Sequence, residues 1–142
     1  MWADTLLQAE RQHLLQLLIW AALSILGGSA IGMLLTFRRI RSPLLAHFAL
    51  QTALWGVAIG AVAAANWRAL HLRNYDEAAY LIHVLWMLVA GSAALIIVGI
   101  VLASCAWFFA RRMAGVGAGI AIVIQAAALL VLTLQFATLV SR

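Results

Sequence analysis

The sequence predicts an all-α polytopic membrane protein, an antiparallel four-helix transmembrane bundle, and three observations carry that prediction. Hydrophobic residues fill 67% of the 142 positions and charged residues 9%, against about 45–50% and 25% in soluble domains. The nine basic residues are all arginine, at 11, 38, 39, 41, 68, 73, 111, 112 and 142, and none lies inside an apolar run. Cutting at the charges leaves four charge-free runs, 12–37, 42–67, 78–110 and 113–141. Each exceeds the roughly 20 residues that a helix needs to cross about 30 Å of hydrocarbon, and none shows the polar outer face of a soluble helix. Residues 1–142 therefore read as a single transmembrane domain, with helices over about 5–37, 43–67, 76–110 and 114–140.

The boundaries carry their own signals. Asp4 is placed to cap helix one, with Glu10, Arg11 and His13 on its first turns at the membrane surface. The N-terminal segment has no basic stretch ahead of its apolar run and no clear small-residue cleavage site, so helix one reads as retained, with the mature chain beginning near Met1. Ser42-Pro43 supplies a hydroxyl cap and a proline at the first position of helix two. Asn74 and Glu77 have the spacing of a capping box and start helix three near Tyr75, outside the bilayer. The apolar run of helix three is the longest, so that helix should tilt or project on this side.

Arginines also set the orientation. The turns at 38–41 and 111–112 hold five arginines and no acid, whereas the opposite side balances its four with Asp4, Glu10, Asp76 and Glu77. The expectation is a multi-pass protein of the bacterial inner (cytoplasmic) membrane with both termini and the 67–77 loop on the non-cytoplasmic side. Trp2, Trp67, Tyr75, Tyr80 and Trp86 then lie near the outer interface, and Phe37 and Trp107 to Phe109 near the inner one.

Apolar side chains gain little by packing together in lipid, so small residues mark where helices touch. Gly28 and Gly32, Ala53, Gly56, Gly60 and Ala64, Ala90, Gly91, Ala94 and Gly99, and Gly115 and Gly119 supply such faces on the four helices in turn. His47, Gln51 and Trp55 stack at four-residue intervals along residues 42–66. An intramembrane imidazole and amide need partners, which makes them candidates for function. Their structural alternative is an interhelical hydrogen bond such as Gln51 to Gln125. On the other side His13, His71 and His83 lie near Glu10, Asp76 and Glu77 with no fixed ligand spacing, so they read as interfacial histidines and no metal site is expected.

Several chemistries are excluded or disfavoured by residue count. A lone Cys105 forbids an intramolecular disulfide or a CxxC motif. No acid or arginine lies inside a run, unlike ion-coupled carriers and the small four-helix multidrug exporters that depend on an intramembrane glutamate. No serine or thiol has an acid–base pair at helical spacing, so no enzyme is expected. His47 and His83 approach from opposite sides and cannot share one haem, while His13 and His83 lie at similar depth.

His47, Gln51, Trp55 and Gly60 on helix two, with Gly115, Gly117 and Gln125 on helix four, resemble a family of small four-helix bacterial integral membrane proteins of unknown function. That family carries a His or amide followed by a tryptophan and small residues on helix two, and a Gly-x-Gly followed by a glutamine on helix four. It has acids within helices three and four where this chain has Met87 and Thr133. The resemblance spans nearly all four helices and implies a fold without implying an activity.

The expectation is thus a non-catalytic integral membrane subunit, with residues 42–66 as its central packing helix. It would pack against other transmembrane subunits or itself, in a homo-oligomer or a larger respiratory or photosynthetic complex, with no nucleic-acid partner. The alternatives are a haem- or chlorin-binding membrane protein using His47 or the pair His13 and His83, and a small transporter.

Overall fold

A computed structural model describes the backbone of residues 2–140 and the side chains of 4–140, so the interfacial roles expected of Trp2 and Arg142 lie outside the described side chains. Four helices account for the fold: α1 (Trp2–Phe37), α2 (Pro43–Arg68), α3 (Tyr75–Phe108) and α4 (Met113–Val140). All four are long and apolar enough to cross a membrane. They alternate in direction, so the start of α1, the α2–α3 loop and the end of α4 share one end of the bundle, here the terminal end. The two short turns share the other, the arginine end.

The predicted starts of α2 and α3 are present. Ser42 Oγ accepts from the Leu45 N–H at 3.4 Å with Pro43 at the head of the helix. Asn74 and Glu77 close a full capping box, at 2.9 Å from the Glu77 N–H to Asn74 Oδ1 and 3.0 Å from the Asn74 N–H to Glu77 Oε2. Asp4 does not cap α1, because the helix already runs from Trp2, and its carboxylate lies within the first turn, where the helix dipole favours it. α3 stops at Phe108, two residues before the expected limit at 110. Its last turn widens, with Ala110 N–H on Cys105 O and Arg112 N–H on Ala106 O.

Both arginine-end turns use an arginine in the left-handed region, Arg39 at φ 51° and Arg111 at φ 47°. After α1 the Ile40 N–H bonds Leu35 O at 3.0 Å and the Arg39 N–H bonds Thr36 O at 3.2 Å, the Schellman pattern in which glycine usually takes Arg39's place. Holding a side chain there costs roughly 1 kcal/mol.

Packing is organised around α4, which touches the other three helices; α3 packs closely on α4 alone, and no Cα of α3 comes within 8 Å of α1 or α2 among the described residues. α4 therefore takes the central place expected of residues 42–66, and its buried residues include Gly117, Gly119, Ala121, Gln125, Ala126 and Thr133. The buried positions recur every seven residues: Leu14, Ala21 and Gly28 on α1, Ala49, Gly56 and Ala63 on α2, and Ala78, Leu85, Ser92, Gly99 and Ala106 on α3. A seven-residue line of small side chains is the seam of a left-handed helix pair, and it lets backbones approach closely.

Each seam contains a position that accepts no methyl group. Between α1 and α2, a Cβ on Gly28 would fall 2.6 Å from Ala49 O, and one on Gly56 would fall 2.8 Å from Ala21 O. Between α3 and α4, a Cβ on Gly119 would meet Gly99 O and Ala103 N, both at 2.7 Å. Between α2 and α4, Gly117 sits against the Leu44 carbonyl. The Gly28–Gly32 pair does not act as a unit, since nothing lies within 4 Å of Gly32's Cβ position. Gly60 has ordinary contact with Ala21, and Gly115 fits against the Ala106 methyl.

Gly119→Ala forces α3 away from α4 because the neighbours in its path are backbone atoms. The expected loss is about 1–3 kcal/mol, read as a lower unfolding midpoint in detergent. Gly32→Ala leaves that midpoint unchanged or slightly raised.

Candidate functional site

Most polar side chains of α1 and the adjacent loop converge at the terminal end. Glu10, expected on the surface, is 5% exposed, because the α2–α3 loop folds over it and delivers Arg73. The pair is two-pronged, with Arg73 Nη2–H donating to Oε1 at 2.6 Å and Nε–H to Oε2 at 3.0 Å. Nearby, the Arg11 guanidinium lies 5.5 Å from the Trp67 ring centroid, tying α1 to the end of α2.

One turn beyond Glu10 is His13, which turns into the bundle. It is 7% exposed and its ring stacks on Phe136 of α4, with centroids 4.6 Å apart and planes 11° from parallel. Phe136 belongs in turn to a cluster with Leu85 and Ala137 against which Ala9 and Leu81 pack, so α1 and α3 meet through α4's side chains at this end. His13 Nδ1 is buried without a hydrogen-bond partner among the described residues.

The remaining histidines lie apart from it. His71 is exposed in the loop, where the Ala69 carbonyl at 2.9 Å from Nδ1 and the Glu77 carboxylate at 3.4 Å from Nε2 raise its pKa above the usual value. His83 is exposed on α3 with Nδ1 2.8 Å from Ala79 O, and His47 is exposed on α2 with Nδ1 3.0 Å from Pro43 O. His13 and His83 differ in setting, the first enclosed by the bundle and the second exposed on α3, and no Cα of α3 lies within 8 Å of α1 among the described residues. No three His, Cys, Asp or Glu side chains form a group that would hold a metal ion among the described residues.

Within the membrane the polar contact is not the expected one. Gln125, 1% exposed on α4, accepts from Trp20 Nε1–H at 2.8 Å and donates through Nε2 to Ser24 Oγ at 3.1 Å, both on α1. Gln51 is half-buried on α2 and has no side-chain hydrogen bond among the described residues, so the Gln51–Gln125 pairing is replaced by one between α1 and α4. Trp55 lies four residues along from Gln51 and lines a cavity. The stripe His47, Gln51, Trp55 thus divides, with its histidine outward and its tryptophan inward.

That cavity, about 220 Å3, occupies the terminal half of the bundle where all four helices contribute walls. His13, Ser92 and Thr133 are its polar lining, and Leu17, Ile59 and Leu129 are among its apolar walls. A second recess of about 40 Å3 lies on the other side of His13, with Gln12, Gln16 and Gln135 around it. Sequence reasoning missed Glu10, Arg73, Trp20, Ser24, Ser92 and Thr133 as partners. The available signal was seven-residue spacing, which places Ser92 on the α3 seam and Thr133 in line with Gly119 and Ala126 on α4, where a hydroxyl faces the interior.

Two outcomes test this arrangement. Gln125→Leu removes both hydrogen bonds to α1 and lowers stability by about 1–2 kcal/mol, measured by equilibrium unfolding in mixed micelles, whereas Gln51→Leu leaves the midpoint in place. Glu10→Gln leaves Arg73 without its countercharge at this partly buried site and costs about 1.5–3 kcal/mol. Removing both side chains together, in Glu10→Ala with Arg73→Ala, costs less than the sum of the two single changes. Comparisons of the chain with protein-family models, with curated proteins and with solved structures found no match.

Proposed function

We propose that this chain is a non-catalytic multi-pass membrane subunit that packs helix faces left open in the monomer against other transmembrane helices or a second copy of itself. The observation that carries the reading is α3. It packs closely on α4 alone, and its outward face presents Ala90, Gly91 and Ala94, with nothing within 4 Å of Gly91's Cβ position. Gly27 and Gly32 on α1 are open in the same way. Glycine in a lipid-facing helix offers little side-chain surface to lipid and exposes backbone that another helix can approach. The five arginines at the arginine end support an orientation with that end cytoplasmic and both termini outside.

A second reading, a haem- or chlorin-binding protein, is supported by His47 and His83. Each ring is exposed with Nδ1 at hydrogen-bond distance from its own helix's carbonyl four residues back, which leaves Nε2 facing outward. Metal-ligating histidines commonly have this arrangement.

One purification from native membranes in mild detergent tests both readings. The expected protein part of the particle is larger than the 15.3 kDa monomer. Gly91→Leu, at an exposed position where an added Cβ has nothing within 4 Å, reduces it to the monomer without lowering thermal stability. A wild-type monomer lacking any stoichiometric partner counts against the first reading, and a colourless preparation ends the second.

A further inference from the structure

We propose that the cavity beside His13 binds a membrane-dissolved, single-ring quinone or its quinol, with the ring oxygens toward His13, Ser92 and Thr133 and the apolar tail leaving between α2 and α3. This goes beyond the subunit reading and does not depend on it.

The polar groups come first. His13, Ser92 and Thr133 are 7%, 7% and 4% exposed, come from α1, α3 and α4, and line the same space. None of the three makes a side-chain hydrogen bond among the described residues, and His13 Nδ1 is fully enclosed. Elsewhere the bundle satisfies its interior amide by pairing Gln125 with Trp20 and Ser24. A buried imidazole without a partner is costly, more so in an apolar surrounding, and because Nδ1 is closed off in the empty protein, a ligand reaches it only when the ring turns that nitrogen toward the cavity.

Size and walls then narrow the partner. A cavity of about 220 Å3 is larger than the 150 Å3 or so that holds benzene and smaller than the roughly 300–1,000 Å3 of sites that enclose drug-sized molecules. It takes one substituted ring and is too small for a tetrapyrrole. The rest of its lining is apolar, with Trp55 contributing an aromatic surface. An acyl chain would fill the volume but leave three polar groups unpaired. Water would satisfy those groups against walls that repel it. A flat ring with oxygens at its edge and an apolar body meets both demands.

Access is through the membrane. No Cα of α2 lies within 8 Å of α3, and the cavity's rim residues Ala58, Val62 and Leu88 are exposed on the lipid-facing surface between them. A ligand dissolved in the bilayer enters sideways and keeps its tail in lipid. On the far side of His13, the recess of about 40 Å3 among Gln12, Gln16 and Gln135 has room for a water. The imidazole thus stands between the ligand and the terminal surface.

The test uses the full chain in phosphatidylcholine nanodiscs, titrated with decylubiquinone and followed by bound quinone per protein and by the infrared carbonyl stretch. Saturable binding of one quinone per chain with a downshifted carbonyl band is expected. His13→Phe keeps a ring on Phe136 but removes the hydrogen bond, and it weakens binding roughly tenfold with loss of the downshift. Ala58→Phe obstructs the mouth from an exposed position and weakens binding even if the His13 variant fails to fold. Non-saturable partitioning overturns the proposal. So does displacement by decylbenzene as effective as by the quinone, which would make the cavity a slot for apolar chains, or equal binding by wild type and Ala58→Phe.

Discussion

Backbone-to-backbone approach at glycine is the constraint on which this bundle rests. In hydrocarbon a leucine gains nothing by leaving lipid for a neighbouring leucine, so helices hold together where their main chains come close enough for dense van der Waals contact. Gly99 and Gly119 bring α3 and α4 together until neither backbone has space for a methyl, and Gly28 and Gly56 do the same for α1 and α2. The polar bond from Gln125 to Trp20 and Ser24 then fixes how α4 sits against α1. Van der Waals closeness supplies the association and the amide supplies its register.

The fold was legible because its signals are strong and local. Unbroken apolar runs, a Ser-Pro start and an Asn74–Glu77 box each act within a few residues, and each appears where the sequence places it. The small residues were legible as a class, but four-residue spacing suggested Gly28 with Gly32, whereas the seams use the seven-residue lines through Ala21 and Gly28 or Ser92 and Gly99. A left-handed pair keeps one face in contact over long helices only at that period. The polar pairings were not legible. Whether Gln125 meets Gln51, or Trp20 and Ser24, depends on which helix lies across from α4, and Glu10 became interior only because a distant loop folds Arg73 onto it. Those are facts of arrangement that no single segment contains.

Arg39 and Arg111 show two demands meeting at one position. Local backbone preference favours glycine at a left-handed helix exit. Membrane orientation favours a fixed positive charge in the same short turn. The chain keeps the charge at both turns and accepts the conformational penalty, which is small beside the cost of drawing an arginine through hydrocarbon.

The gap between α2 and α3 divides the chain into two hairpins. α1 with α2, and α3 with α4, are each closed by an arginine-bearing turn and sealed along their length by glycine. The halves join where α4 lies against α2 and α1. The Glu10–Arg73 clasp straps the connecting segment to the first hairpin. Contacts within each hairpin are close in sequence, whereas those joining the hairpins come from α4 reaching back to α2 and α1. The most yielding joint is the one between the pairs, so a sliding motion of one hairpin against the other would change the shape of the interior while leaving both hairpins intact.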